Sequence, residues 1–265
     1  MNLHEPSMLL LYSFSQFMKV SVIIPAAGLG TRMSAAAPKR GQSAPSKQFA
    51  ELGGVPILIH TLRKFAAAPQ VSEIVLALRK KEIEQFKPRL EKEGFKKPVR
   101  MVEGGDHRQQ SVSNALAGIK AAADDIVLVH DAVRPFVDAE LIAAVIAAAA
   151  KHGAAIAGVP AVDTIKQVDR TAEGAIISST IPRERIVLAQ TPQGFRYAVL
   201  RKAFDEATAD GFTGTDEASV VERAGHEVAV VMGSYRNLKI TTPADLQLAE
   251  FYLEQQTREK EPLAG

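Results

Sequence analysis

The sequence predicts an α/β fold in which helices flank one mostly parallel sheet. Short apolar, β-branched runs alternate with longer stretches of helical period. The 265-residue chain is also 46% hydrophobic, which is enough to bury a full core. We expect one domain over residues 18–256, preceded by a disordered extension over 1–17 and followed by a polar tail over 257–265.

Five strands of this sheet are predicted by their β-branched composition and by the turn residues that bound them. They are Val20–Pro25, Glu73–Leu78, Val99–Val102, Ile126–His130 and Ala154–Val159. An amphipathic helix is predicted over Val112–Ile119 by its apolar spacing. An alanine-rich helix follows, which Asp138 can cap and Gly153 can end.

The alternation of strands and helices breaks between Val162 and Ile181, where Thr, Ile, Val and Ser runs surround a polar turn. This pattern predicts a β-hairpin or extended arm, which we place at about 162–184. A lone hairpin is only marginally stable in water. We therefore expect the arm to pack on something, most simply a second subunit.

The remainder of the chain is predicted to form three helices and one strand. Two helices cover about Arg196–Ala209 and Asp216–Ala224, and the strand is Val228–Met232. The last helix has Thr242 as its cap and Pro243 at its first position.

Composition limits both the chemistry and the partners. The 32 basic and 30 acidic side chains leave a formal charge of +2, so we expect no nucleic-acid partner. The absence of cysteine excludes disulfides, thiolate metal sites and thiol nucleophiles, and it fits a cytoplasmic location. The apolar stretch Met8–Leu11 is far too short to span a bilayer, so we expect no membrane anchor.

A glycine-rich turn, Pro25-Ala26-Ala27-Gly28-Leu29-Gly30, follows the first strand. Its small residues let backbone N–H groups approach an anion, which at this position is usually a phosphate. Arg32, Lys39 and Lys47 add positive charge nearby, which suits a triphosphate. An ordinary tight turn is the alternative. A dinucleotide-dependent oxidoreductase is disfavoured, because Met33 stands where that motif needs its third glycine.

Two further strand ends carry polar side chains. Gly105 and Asp106, with Ser111 one turn into the next helix, can hold a base or ribose, although Asp106 could simply cap that helix. Asp131 follows the next strand, where a carboxylate is costly unless it is paired. Asp131 therefore either pairs with Arg134 or meets a metal-bound phosphate.

Later segments place Lys and Arg beside Thr at loop ends, as in a second anion site. Their residues are Thr164, Lys166, Arg183, Thr191, Thr215 and Lys239. Thr215 could instead cap a helix, Arg183 could be a solvated arm residue, and Lys239 could be a charge on an edge strand. His130 is expected to be a core histidine with a satisfied ring.

These segments follow one another from Pro25 to Thr241 in a recognisable order. They read P-A-A-G-x-G-x-R-M, K-Q-F, G-G-D-x-R-x-x-S-V, H-D-A-x-R-P, D-T-x-K, T-P-Q, T-D-E-A and N-x-K-I-T. The order closely resembles the 2-C-methyl-D-erythritol 4-phosphate cytidylyltransferases of the non-mevalonate isoprenoid pathway. The resemblance implies a nucleotidyltransferase-type, Rossmann-like fold, a homodimer joined through the β-arm, and Mg²⁺ held largely by the nucleotide phosphates.

The resemblance also implies roles for individual residues. The residues implied to bind the cytidine nucleotide are Ala26, Ala27, Gly28, Gly30, Gly105, Asp106 and Ser111. Arg32 and Lys47 would stabilise the α-phosphate in the transition state, and Arg183 and Lys239 would position the acceptor phosphate. The remaining substrate-binding residues are Asp131, Arg134, Thr164, Thr191 and Thr215. Thr164 and Arg183 would serve the neighbouring subunit's site.

The chain departs from the family pattern at the loop lysine. Lys39 retains the preceding proline of the family motif, whereas Lys47 retains the following Gln-Phe. We assign the role to Lys47, because it keeps register with the segment Leu52–Pro56, and Lys39 remains the alternative.

The expected activity is transfer of CMP from CTP to 2-C-methyl-D-erythritol 4-phosphate, with release of pyrophosphate. A substrate phosphate is already a competent nucleophile at neutral pH, so the protein needs to screen and align two anions. The alternatives are a cytidylyltransferase for ribitol 5-phosphate or a related polyol phosphate, and a non-catalytic nucleotide-binding protein.

Overall fold

The computed structural model describes residues 18–28, 46–172 and 174–259. The predicted extension over 1–17, the end of the predicted tail, and the candidate residues Gly30, Arg32 and Lys39 lie outside the described residues.

Strands and helices alternate along most of the described chain. The strands are β1 (Val20–Pro25), β2 (Glu51–Leu52), β3 (Val55–Pro56), β4 (Glu73–Leu78), β5 (Val99–Glu103), β6 (Ile126–Val129), β7 (Ala154–Pro160), β8 (Ile165–Thr171), β9 (Gly174–Ile181), β10 (Val187–Arg196) and β11 (Ala229–Met232). The helices are α1 (Ile57–Ala67), α2 (Lys80–Glu93), α3 (Arg108–Ala117), α4 (Ala139–His152), α5 (Tyr197–Ala209), α6 (Glu217–Arg223) and α7 (Pro243–Arg258). Helix α7 runs two residues past the predicted domain end.

Seven strands form one sheet in the order β11-β7-β10-β6-β1-β4-β5. Strand β10 is antiparallel to both of its neighbours, and the other neighbouring pairs are parallel. The prediction of a mostly parallel α/β sheet is therefore confirmed. The chain moves from β1 outward to β5 and then returns to β6 on the other side of β1. Ligands bind at the carboxyl ends of the strands where the strand order reverses in this way.

Both faces of the sheet are covered by apolar side chains. Val22 and Ile24 of β1 pack with Phe65 of α1 on one face, whereas Ile23 packs with Leu116 of α3 on the other. Successive side chains of a strand point to opposite faces, so a strand buried on both faces is apolar throughout. Because the strands are buried on both faces, their carboxyl ends, and the polar side chains that follow them, are held in fixed positions at one edge of the sheet.

The predicted helix ends are confirmed in two helices and corrected in two others. Asp138 caps α4 by accepting a hydrogen bond from Leu141 N at 2.7 Å, and Thr242 caps α7. Helix α3 is capped by His107, whose Nδ1 accepts from Gln110 N at 3.3 Å, so Asp106 lies one residue too early. Helix α6 is likewise capped by the residue after Thr215, since Ser219 N donates to Asp216.

Strand β10 was not predicted. Its T-P-Q-G sequence contains a proline and a glycine, which are depleted in strands, and both lie in its buried middle. The ladder with β7 shifts register between Ala189 and Gln193, and this irregularity accommodates Pro192. Pairing on both edges thus outweighs a poor intrinsic strand propensity.

The β-arm consists of β8 and β9, which pair antiparallel and lie within the predicted range. Residues 166–172 and 174–180 are all exposed. Ile176 and Ile177 retain 65% and 59% of their accessible surface. The hairpin is confirmed, and its packing on a second subunit stays a prediction. Among the described residues, no helix is both long and apolar enough to cross a bilayer.

Candidate active site

A first cavity opens at the carboxyl ends of β1, β5 and β6. Its lining comprises Pro25, Ala26, Ala27, Gly28, Lys47, Gln48, Gly105, Asp106, His107, Arg108, Ser111, Asp131, Ala132, Val133 and Lys239. The structure therefore brings together most of the residues that we expected to bind a nucleotide, and it places Lys47 among them.

Close backbone packing holds the two glycine-containing loops of the first cavity together. A Cβ added to Gly104 would lie 2.5 Å from the Cβ of Ala27, so only glycine allows this approach. The hydroxyl of Ser111 accepts a hydrogen bond from Gly105 N at 3.1 Å, which anchors the corner after β5. Gln48 donates its side-chain amide to Ala26 O, so the short helical turn that carries Lys47 is attached to the end of β1.

A second cavity lies beside the first and is more polar. Its lining comprises Arg108, Asp131, Arg134, Ala189, Gln190, Thr191, Gln193, Thr215, Asp216 and Lys239. Arg108, Asp131 and Lys239 line both cavities. Two adjacent cavities with shared charged walls are suited to hold two anions next to each other.

Asp131 is the centre of charge between the cavities. Its carboxylate lies 2.9 Å from Lys239 Nζ, 3.3 Å from Arg134 Nε and 3.4 Å from Arg108 Nε. Burial alone would raise the pKa of Asp131, but Arg108, Lys239 and Arg134 together hold it well below its usual range. Asp131 is thus an anion held between three cations. Of the two alternatives given by the sequence, the pairing with Arg134 is present, and contact with a phosphate stays a prediction.

Strand β10 fixes the second cavity through buried hydrogen bonds. Thr191 Oγ1 accepts from Asp131 N at 3.0 Å and lies 3.1 Å from Nδ1 of His130. The other ring nitrogen of His130 lies 3.0 Å from Arg134 O, so both ring nitrogens have partners. Burial lowers the pKa of His130 to about 4, and the ring is neutral at pH 7. The expectation of a satisfied core histidine is confirmed.

Arg108 joins α3 to α6 across the back of the second cavity. Its Nη1 donates to Glu217 Oε1 at 2.6 Å, and Glu217 is only 1% exposed. Burial would lower the pKa of Arg108, but Glu217 and Asp131 raise it above its ordinary value. Arg108 therefore stays charged at any working pH.

Thr164 and Arg183 lie at the root of the arm and line neither cavity of their own chain. Both are exposed. Arg183 donates to Val162 O at 2.9 Å and has a loose contact with Glu184 at 3.8 Å. The structure thus separates these two candidates from the other described ones.

Sequence reasoning missed several residues of the site. They are Gln48, Arg108, Gln190, Gln193, Asp216 and Glu217. Arg108 lies in the G-G-D-x-R motif, and its position at the start of a helix that follows a strand end was an available signal. Gln48 and Gln193 lie in the K-Q-F and T-P-Q motifs, but the positions of Gln190 and Gln193 depend on strand β10, which was not predicted.

The described part of the site is suited to hold phosphates, and most of the groups in it that could accept a proton are already engaged. Asp131 is paired with cations, His130 is fully buried, and the ring of His107 is engaged in capping α3. Within the described ranges, no cluster of three or more His, Asp or Glu side chains could hold a metal ion. The chemistry available here is charge stabilisation and alignment.

Comparison with known proteins agrees with this geometry. Residues 20–255 match the model of the 2-C-methyl-D-erythritol 4-phosphate cytidylyltransferase (IspD) family. A relative of that name from Acidobacterium capsulatum is 62% identical over 240 residues, which cover 91% of this chain and 99% of the relative.

Solved structures agree as well. The 4-diphosphocytidyl-2C-methyl-D-erythritol synthase from Anaerococcus prevotii has a TM-score of 0.74 and 31% identity, over 89% of this chain and 99% of that one. The 2-C-methyl-D-erythritol 4-phosphate cytidylyltransferase from Thermus thermophilus has a TM-score of 0.68 and 35% identity, over 89% of this chain and all of that one. The chain therefore belongs to the 2-C-methyl-D-erythritol 4-phosphate cytidylyltransferase family.

Proposed function

We propose that this protein transfers CMP from CTP to 2-C-methyl-D-erythritol 4-phosphate, releasing pyrophosphate. The observation that carries the proposal is the pair of adjacent cavities that share Arg108, Asp131 and Lys239. The first cavity holds the nucleotide, and the second holds the acceptor phosphate. Family membership over residues 20–255 supports the same activity.

Charge placement supports a direct attack of the acceptor phosphate on the α-phosphorus of CTP. An acceptor oxygen forms a new P–O bond while the bond to the leaving pyrophosphate breaks. Lys47, in the wall of the first cavity, stabilises the negative charge on the α-phosphate, as does Arg32. Lys239 lies where it can align the acceptor phosphate, because it lines both cavities.

Mg²⁺ is the proposed cofactor. Among the described residues, two carboxylates line the first cavity, and Asp131 is already engaged by three cations, which leaves Asp106 as an oxygen ligand. This donor set fits a cation bound mainly by the phosphate oxygens of the nucleotide. The bound cation would screen the triphosphate charge and favour departure of pyrophosphate.

A homodimer joined through the β-arm would explain the position of Thr164 and Arg183. Both residues lie away from the cavities of their own chain, and the arm exposes Ile176 and Ile177 to solvent. Exposed apolar surface of this kind marks interaction sites. In the dimer, Arg183 would reach the acceptor phosphate in the partner's second cavity. The lack of cysteine supports a reducing, cytoplasmic compartment.

Pyrophosphate release tests the proposal. The purified protein is given Mg²⁺ and CTP with either methylerythritol 4-phosphate or ribitol 5-phosphate, and ATP replaces CTP as a control. Release with CTP and methylerythritol phosphate alone supports the proposed activity. Release with ribitol 5-phosphate instead would support the same type of reaction with a different acceptor substrate. No release in any tube would contradict an enzymatic function.

A further inference from the structure

Glu217 is a buried carboxylate outside the lining of both cavities. It is the first residue of α6 and is 1% exposed. Its Oε1 accepts a hydrogen bond from Arg108 at 2.6 Å. Its Oε2 is buried and has no hydrogen-bond partner among the described residues. Burial raises the pKa of Glu217, and the Arg108 guanidinium opposes that rise, so the ionised form of Glu217 depends on Arg108.

Arg108 uses two edges of one guanidinium to contact two carboxylates. Nη1 points to Glu217, while Nε lies 3.4 Å from Oδ1 of Asp131. The guanidinium is planar and rigid, so fixing one edge also fixes the other. Glu217 thereby determines the position of the Arg108 guanidinium between the two cavities and the distance from that guanidinium to Asp131.

Other contacts attach α6 to the rest of the fold, so the Arg108–Glu217 ion pair is not required for that attachment. The side chain of Gln109 donates to Phe212 O at 3.0 Å and accepts from Gly214 N at 2.8 Å. Gln193 donates to Asp216 at 2.7 Å and accepts from Ala218 N at 3.0 Å. These neutral or singly charged contacts already hold the segment before α6. A buried ion pair adds little net stability, because desolvation offsets its attraction.

We propose that Glu217 is a positioning residue for cytidylyl transfer, which acts through its ion pair with Arg108 to hold the guanidinium at Asp131, between the two cavities. The inference rests on the proposed function. With Glu217 uncharged, Asp131 is the described carboxylate that remains within ion-pair distance of Arg108, and Arg108 competes with Lys239 for it. Both shared cations then leave the positions in which they align the two phosphates.

A double-mutant cycle tests this role. Glu217→Gln keeps the volume and the hydrogen-bond acceptor but removes the charge, and we expect kcat/KM for the acceptor to fall about tenfold or more through misalignment. Arg108→Met removes the partner. Adding Glu217→Gln to Arg108→Met should lower kcat/KM by less than about threefold further, because Glu217 then has nothing to position. The proposal would be overturned if the loss of kcat/KM in the double variant equalled the product of the losses in the two single variants. Unchanged kcat/KM in Glu217→Gln would also overturn it.

Two further variants separate positioning from folding. Glu217→Asp keeps the charge but shortens the side chain by one methylene, so it should lower kcat/KM by less than Glu217→Gln does, and a loss as large as that of Glu217→Gln would contradict the role of the charge. Glu73→Gln is the matched control. Glu73 is 8% exposed and is paired with Arg100 at 3.2 Å. It lies at the amino end of β4, whereas the two cavities lie at the carboxyl ends of the strands. It should lower the thermal midpoint without changing kcat/KM per folded enzyme.

Failure of the proposed function can be told apart from failure of this inference. If wild-type protein releases no pyrophosphate with any acceptor, the proposed function fails. The same cycle is then measured on the dissociation constant of Mg²⁺-CTP by calorimetry, since Arg108 also lines the first cavity. Non-additive effects in that cycle support the positioning of Arg108 by Glu217, and additive effects overturn it.

Discussion

The Nζ atom of Lys239 lies 2.9 Å from Oδ2 of Asp131, although the two residues are far apart in the chain. The contact joins the loop before α7 to the end of β6. Arg134, which also contacts Asp131, donates to Asn237 O at 2.6 Å and so ties the same two segments together. These contacts of the second cavity therefore depend on the buried carboxylate of Asp131.

Asp131→Asn should destabilise the protein. The change leaves three cations near a neutral side chain, and breaking a buried ion pair in this way costs on the order of 3 kcal/mol in the free energy of unfolding. Urea denaturation at neutral pH measures the loss. Asp205→Asn is the control, because Asp205 pairs with Arg201 at the surface and should change stability by less than about 0.5 kcal/mol. Equal unfolding midpoints for the two variants would contradict the prediction.

Lys47→Ala should lower kcat about 10²-fold or more if Lys47 stabilises charge in the transition state. Arg32→Ala is expected to behave in the same way. Lys39→Ala is the matched control, since it removes the alternative lysine of the same segment, and its kcat should remain close to that of wild type. Pyrophosphate release under saturating substrates measures all three. If Lys39→Ala loses turnover and Lys47→Ala does not, the assignment of the loop lysine is wrong.

Two inactive variants should restore activity when their subunits are mixed. If Arg183 serves the partner's site, a dimer of one Arg183→Ala subunit and one Lys47→Ala subunit has one intact site. Random exchange by mild denaturation and refolding of the mixture should then recover about a quarter of wild-type activity. Each variant refolded alone is the control. No recovery in mixtures shown to contain mixed dimers would mean that Arg183 does not act across the interface.

Replacing the apolar residues of the arm with charged ones should weaken the proposed dimer. Ile176→Asp with Ile177→Asp places charge on surface that is 65% and 59% exposed in the single chain. Burial of these charges at an interface is costly, so the variant should sediment as a monomer at concentrations where wild type is a dimer. Lys166→Ala, also on the arm, is the control. An unchanged sedimentation coefficient in the double variant would argue against the arm as the interface.

His130 should make stability depend on pH in mildly acidic solution. Its pKa is lowered from 6.5 to about 4 by burial, so the unfolded chain binds a proton more readily than the folded one. The free energy of unfolding should therefore fall as pH drops from 6.5 towards 4, by at most about 1.4 kcal/mol per pH unit from this group. His130→Gln, which does not titrate, should flatten that slope. Parallel pH profiles of the two proteins would contradict the assignment.

The sequence by itself determined the predicted parallel strands of the sheet and most of the described residues of the first cavity that we expected to bind a nucleotide. Apolar runs such as Val20–Pro25 can be buried on both faces only as parallel strands under helices, so their carboxyl ends had to meet. Gly105, Asp106 and Asp131 follow such strands directly, and their position required no knowledge of distant contacts. The T-P-Q segment of β10 was different, because its strand form depends on pairing with β6 and β7 rather than on propensity.

Only the tertiary structure decided which charges share a partner. Arg108, Arg134 and Lys239 each had several plausible roles in the sequence, and their convergence on Asp131 depends on the packing of α3, β6 and the loop before α7. Glu217 shows the same limit, since an acidic residue at the start of a helix is ordinarily solvent-exposed. Periodicity and propensity are local and can be read along the chain, whereas burial and electrostatic pairing arise from residues that only folding brings together.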